Sequence, residues 1–508
     1  MGAGMSRILN AARSLASGYA ALGVNVLYTL GSVPLALHYL PRAEFGLWFT
    51  VAQVASYLLL IDAGMTGSVS RFLMDYKDDR SDRRYGAVIQ TGFLVFLVQG
   101  TCIALGGTAL SVGLPSLLHV PIEYGRIFRI LVAAQCILLG VFFVGRIFTG
   151  LLQAHHRFDL MNYSQMAQLI IGFGAQWIAF HLGWGLYSLL ISALAGSVTG
   201  FVINLVSVLR LELLPARGCW GQPSRVVFFE LFAFASDMFL AMVGLQLLNA
   251  SQLIVISRTL GLSAAAVWSV ANKAYPVAFQ GVSRIFDFSG TALGELHIRG
   301  ERDKLRRRYA DVLLLTASAA IFAGATMAVC NTSFMIIWTK GEIAWPRQND
   351  VLLGLLLALT CVTRCSIGLS GYLKNIGAMR WIYFLEGVSF FVTSLLIARY
   401  VGMTGILAVA ILANVVWSGG YGFRRTAHLL GTTTGKLVGG LKTAGKYLLL
   451  MAPVVALLWS TASRVPPLAG LVANTVVMGT LGFGLFWLVG LTPELRGEIK
   501  SNLRKLIS

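Results

Sequence analysis

Charge is scarce in this sequence: only 12% of its 508 residues are Asp, Glu, Lys or Arg, against roughly 25% in soluble proteins. That excludes an ordinary water-soluble domain, and no polar segment is long enough to hold one between the apolar stretches. Cysteine is nearly missing too. Of six, Cys102, Cys136, Cys330, Cys361 and Cys365 fall in apolar runs and Cys219 in a basic loop, which excludes a disulfide framework. Cys361 and Cys365 share a helix face with no His or carboxylate beside them and read as packing residues. Signatures of covalent chemistry are absent as well. The stretch GTTTGK, Gly431–Lys436, lacks the fourth spacer of a phosphate loop and the Ser/Thr after its Lys, and no loop could contain an ATPase domain. There is no Asp-x-Asp pair and no nucleophile elbow. His155 and His156 are adjacent, which points their rings apart rather than at one metal. No cofactor and no metal are expected, and the chain does not read as an enzyme. Energy for any transport must then come from an ion gradient, a partner or the gradient of the cargo.

What is present is apolar: 56% of the residues are hydrophobic, in runs that mostly exceed the roughly 20 residues of a membrane-spanning helix. Barrel-type alternation is missing, so the expected fold is an all-α polytopic membrane protein. About fourteen transmembrane helices are expected, near 17–39, 45–73, 87–113, 126–152, 163–182, 188–209, 228–257, 264–290, 311–338, 351–373, 382–400, 404–423, 447–461 and 468–490. The first is too long for a signal peptide and is expected to remain as a helix. The net charge of +19 does not form one patch and does not point to nucleic acid. The N-terminal tail, the even-to-odd loops and the C-terminal tail hold 27 Lys and Arg, and the opposite side holds 8. By the positive-inside rule both termini are expected in the cytoplasm. The densest loop, Gly294–Asp311, reads as a solvated surface facing lipid headgroups.

A faint repeat runs through the chain. LPRAEFGLWFTVAQVA (Leu40–Ala55) and LGLSAAAVWSVANKAY (Leu260–Tyr275) each place a Trp eight residues after a Leu, 220 residues and six spans apart. An even number of spans per unit makes the repeat parallel. The expected division is a six-helix bundle over 1–210, a second over 228–423, two added helices over 447–490 and a basic cytoplasmic tail over 491–508.

The stretch from His38 to Leu73 resembles the opening helix pair of the polysaccharide transporters. These are lipid-linked oligosaccharide flippases of the multidrug/oligosaccharidyl-lipid/polysaccharide exporter superfamily. The resembling residues are the turn Leu40, Glu44, Phe45 and Gly46, then Trp48, the Asp-x-Gly element Asp62 and Gly64, and the basic Arg71. In the second half Ala265 and Ala266 stand where Phe and Gly stood. The resemblance implies two six-helix lobes about a cavity, alternating access in the bacterial inner membrane, and an undecaprenyl-diphosphate-linked oligosaccharide as cargo. It also implies a glycan polymerase and glycosyltransferases as candidate partners beside the lipid bilayer. A drug or small-cation exporter of the same superfamily is the nearest rival. A membrane glycan polymerase or ligase is disfavoured, because no outer loop exceeds about a dozen residues and such enzymes normally carry catalytic residues on a large one.

Polar residues inside spans are the candidate binding groups, because ionisable side chains there are costly and mark function. At about 1.5 Å per residue, Asp237 and Lys273 each lie about 13 Å from one end of their spans. They read as a mutual salt bridge or as the lining of a cavity for an anionic headgroup. Pro276 beside Lys273 frees a backbone carbonyl, which suits a cavity wall. Arg364 has no carboxylate nearby in sequence and is the stronger cation candidate. Asn25, Gln246 and Asn249 add neutral groups. Asp62 lies about 25 Å along its span, near the cytoplasmic boundary. Arg71 falls on the opposite helix face, so Asp62 is expected to pair with a basic residue of another span or to cap a break at Gly64 and Gly67.

Overall fold

The computed structural model describes residues 2–76, 83–155, 157–343, 345–373, 377–461 and 464–497. Among them there are helices and turns and no strands, as a chain without backbone partners in lipid requires. Eleven helical stretches are long and apolar enough to cross a membrane. They include Lys442–Thr461, the region of the shortest expected span. The expected spans near 163–182 and 264–290 fall on helices that are not among the eleven, and those near 382–400 and 404–423 fall together in one run, Met379–Leu429. That run bends at Gly402, whose φ of 63° and ψ of −154° no helix tolerates.

Two compact units divide the chain, Met1–Ala266 and Val267–Ser508. The first holds α1 (Gly2–Tyr39), α2 (Arg42–Leu58), α3 (Met65–Tyr76), α4 (Arg83–Leu117), α5 (Ile122–Phe143) and α6 (Arg146–Ala154). It continues with α7 (Phe158–His181), α8 (Tyr187–Arg210) and α9 (Arg225–Thr259). The division by packing thus keeps α9 with the first unit, where the repeat assigns it to the second bundle. The reason is a shared core: Val227, Leu231 and Ala235 of α9 pack with Met65, Val69, Phe96 and Leu151. Ser68 also donates to the Leu231 carbonyl at 2.7 Å.

The unit boundary falls inside α10 (Leu262–Ala271). The rest of the second unit comprises α11 (Ala274–Ile298), α12 (Arg302–Trp338), α13 (Gln348–Tyr372), α14 (Met379–Asn414) and α15 (Gly420–Leu429). Then follow α16 (Thr434–Gly440), α17 (Lys442–Thr461), α18 (Pro467–Val477) and α19 (Phe483–Leu488). The last two expected spans dock on α12. Asn474 donates to the Val329 carbonyl at 2.8 Å, Ser318 donates to the Gly490 carbonyl at 2.6 Å, and Tyr447, Met451 and Met478 form an apolar seam with Val329.

Small residues set the closest helix approaches, as is usual where lipid removes the hydrophobic drive between helices. In the first unit a Cβ at Gly100 of α4 would collide with the Gly140 carbonyl of α5, and the reverse also holds. In the second unit Gly324 of α12 and Gly354 of α13 meet in the same way. The third and fourth of the expected spans, and likewise the ninth and tenth, therefore touch through a glycine pair.

Candidate functional site

The second span is broken where the Asp-x-Gly element lies. After α2 the chain makes a tight turn over Leu59–Asp62, and Ala63 and Gly64 both take positive φ, 46° and 79°. Gly64 suits this left-handed backbone, whereas Ala63 is strained there. Breaking a helix leaves carbonyls without partners, and Gln99 of α4 donates to those of Ile61 (2.7 Å) and Asp62 (3.2 Å). The Asp62 side chain is buried and caps the restarted helix, its Oδ1 accepting from the Thr66 N–H (3.1 Å) and hydroxyl (2.7 Å). Its Oδ2 meets Arg146 Nη1 at 3.1 Å. Both expectations for Asp62, the cap and the pair with another span, are thus met by one carboxylate. Arg71 pairs instead with Asp75, one turn on.

Arg146 opens α6 just past a second break at Val144–Gly145. Its guanidinium lies 4.2 Å from the centre of the Phe143 ring and donates to the Thr66 hydroxyl at 3.0 Å. Charge, ring and hydroxyl together leave this cation well satisfied inside the unit.

Arg364, on α13, has a carboxylate after all. Its Nη2 donates to both oxygens of Asp287 on α11, at 3.0 and 3.3 Å. The partner escaped a search along the sequence because it lies 77 residues away. The expected repeat offers a signal that could have found it, since Asp62 and Asp287 fall in the second and eighth expected spans and Arg146 and Arg364 in the fourth and tenth. Arg364 also lies 5.9 Å from the Phe279 ring centre, and the Tyr372 hydroxyl donates to the Asp287 carbonyl at 3.2 Å. The guanidinium stays half-exposed.

Lys273 occupies the two-residue break between α10 and α11 and is partly exposed. Pro276 lies in the first turn of α11, where its missing N–H has no helical duty. The expected Asp237 partner cannot be placed, since its side chain lies outside the described residues; so does His156. Asn25 is partly exposed on α1. Asn249 is exposed and donates to the Leu245 carbonyl of its own helix at 2.9 Å. Gln246 ties α9 to α2 through the Ser56 carbonyl (2.8 Å) and hydroxyl (3.0 Å). His155 hydrogen-bonds the Tyr85 hydroxyl at 3.2 Å. Among the described residues no group of three His, Cys, Asp or Glu could hold a metal.

Among the described residues the buried carboxylates of Asp350, Glu386 and Asp159 were not singled out from the sequence, although acids in or beside apolar runs are a usable signal. Asp350, in the first turn of α13, accepts from Asn331 (2.7 Å), the Trp345 indole (2.8 Å), and the Thr332 N–H (3.1 Å) and hydroxyl. Four neutral donors fill its oxygens, so it acts as a fastener between α12 and α13. Asn331 reaches on to the Ala271 carbonyl (3.3 Å) and so anchors the end of α10. Glu386, inside α14, accepts from Ser418 and, at 3.4 Å, from Asn414. Ser418 belongs to a π-helical turn, Val415–Gly419, a local widening common at functional positions.

The chain is similar to solved transporters over most of their length. It shares 15% identity with the inward-facing conformation of a multidrug resistance MATE family transporter of the MOP superfamily, with a TM-score of 0.63 over 81% of this chain and 94% of that one. A MOP superfamily transporter from Pyrococcus furiosus, whose reversed binding-pocket polarity suggests a different function, matches at 15% identity. Its TM-score is 0.59 over 83% of this chain and 96% of that one. At this identity the likeness establishes the fold. No curated protein matches the sequence. Residues 15–287, more than half of the chain, match the family model described as polysaccharide biosynthesis protein. With its many apolar spans and its MOP transporter fold, the chain is a multi-pass membrane protein that belongs to the polysaccharide biosynthesis protein family.

Proposed function

We propose that the protein is a flippase that moves an undecaprenyl-diphosphate-linked oligosaccharide across the bacterial inner membrane by alternating access. It would do so with fourteen membrane crossings, both termini in the cytoplasm and no covalent step. Family membership supports a glycan cargo. The observation that carries the reading further is Arg364, a half-exposed guanidinium within a span, of whose five N–H donors the Asp287 contacts engage those of one nitrogen. A diphosphate entering the membrane must exchange its water for donors, and a planar fork meets two phosphate oxygens at once. Lys273, in the same unit, is the second cation assigned to the cargo. Asp237, Asn25 and Asn249 remain proposed lining groups.

The test is export of the surface glycan by a deletion strain carrying variants, with membrane insertion checked alongside. Arg364→Ala should abolish export while the protein still inserts, and Arg364→Lys should restore only part of it. Wild-type export from Arg364→Ala would defeat this assignment. A drug exporter is the second reading, favoured by the multidrug transporters among the similar structures. It would be preferred if the deletion strain exported glycan normally but became drug-sensitive.

A further inference from the structure

The two repeat-related ion pairs differ in how they are enclosed. In the first unit, side-chain exposure is 7% for Asp62 and 28% for Arg146, and Thr66 closes the network by contacting both. In the second unit, Asp287 is 34% and Arg364 45% exposed. Here no hydroxyl bridges the pair among the described contacts, and one guanidinium nitrogen is shared between both carboxylate oxygens. The first arrangement is a lock. The second can open at lower cost than the first, because both groups are already partly exposed.

We propose that Asp287 is the counter-ion which the cargo's phosphate displaces from Arg364, and that its return to Arg364 assists release. This rests on the reading of a phosphate-bearing cargo. An unpaired guanidinium within a span is costly, so an empty carrier needs a carboxylate beside it. A phosphate competes for the same N–H groups and is repelled by the carboxylate at close range. Asp287 therefore weakens cargo binding and keeps it reversible, which a transporter requires in order to unload. Asp287 touches the cargo only through Arg364 and is a positioning residue. Tyr372, holding the Asp287 carbonyl, fixes the backbone while the carboxylate is left to move.

The test uses purified full-length protein in detergent and farnesyl diphosphate as the binding probe. Asp287→Asn should bind the probe about fivefold more tightly or better, a coupling of ordinary size. Arg364→Ala should lose most of the affinity. The double variant should bind no better than Arg364→Ala alone, because the carboxylate acts through the guanidinium. In cells Asp287→Asn should export more slowly despite tighter binding, which a merely structural role would not produce. Unchanged or weaker probe binding by folded Asp287→Asn would overturn the proposal. Loss of folded protein in both Asp287→Asn and Asp287→Ser would also overturn it, since the pair would then be a lock like Asp62 and Arg146. If the probe binds equally to wild type and Arg364→Ala, or to neither, the diphosphate reading itself fails. If it depends on Arg364 but ignores Asp287, only the counter-ion role fails.

Discussion

Arg146 and Arg364 lie 218 residues apart in the chain, and each pairs with an aspartate of another helix. Each stands over a phenylalanine ring, and the pairs join Arg146 on α6 with Asp62 and Arg364 on α13 with Asp287 of α11. The two pairs differ in enclosure, with Asp62 and Arg146 largely covered and Asp287 and Arg364 partly exposed.

Asp62→Asn should lower membrane abundance and thermal stability, since it leaves the Arg146 guanidinium in a largely enclosed site without its anion. A cost of about 2–3 kcal/mol is expected, below the range for fully buried pairs because Arg146 retains some exposure. Replacing both, as Asp62→Asn with Arg146→Met, should recover part of the stability. A single variant as stable as wild type, by thermal unfolding in detergent, would show that Thr66 and Gln99 hold the break without the charge.

Gly100→Val and Gly324→Val should each destabilise the protein, because the added side chain meets a backbone carbonyl rather than a flexible group. Overpacking of this kind costs about 1–3 kcal/mol. Gly106→Ala on the same helix as Gly100 faces open space and should change little. Thermal midpoints of the three variants compare them directly; equal midpoints would remove the glycine contacts as determinants of packing.

Asp159, in the first turn of α7 and outside the expected span, pairs with Arg157 at 3.0 Å. Burial alone would raise its carboxyl, but the hydrogen bonds and charge of Arg157 hold it below the usual carboxylate range. A lowered folded-state value means the pair stabilises above the unfolded carboxyl's titration, near pH 4. That contribution is lost as pH falls further, through the folded value. Asp159→Asn should therefore be less stable than wild type at pH 7, with the gap closing in acid below about pH 4. A gap that persists there would assign the loss to packing.

Orientation is checked by fusion after Ser508 of a reporter active only outside the cytoplasm. Silence is expected, with the N-terminal Gly2 on the same side. A strong signal would remove one of the fourteen proposed crossings.

The all-helical, many-span character of the chain was legible in the sequence because it is a local property. Apolar run length follows from the thickness of lipid, while Gly64 and Gly67 offered two readings, a helix break or a close helix approach, and the positive φ of Ala63 and Gly64 shows the break. The fate of each buried charge was not legible. Arg364 looked alone because its carboxylate arrives from a helix 77 residues earlier, and only folding decides which faces of α11 and α13 meet. Asp62 offered two readings along the chain, a cap or an ion pair, and became both once α6 brought Arg146 beside α3. Helix formation in lipid is set residue by residue by the missing water, whereas ion pairing depends on the rotation and approach of separate helices, which here follow from contacts such as Gly100 on Gly140 and Gly324 on Gly354.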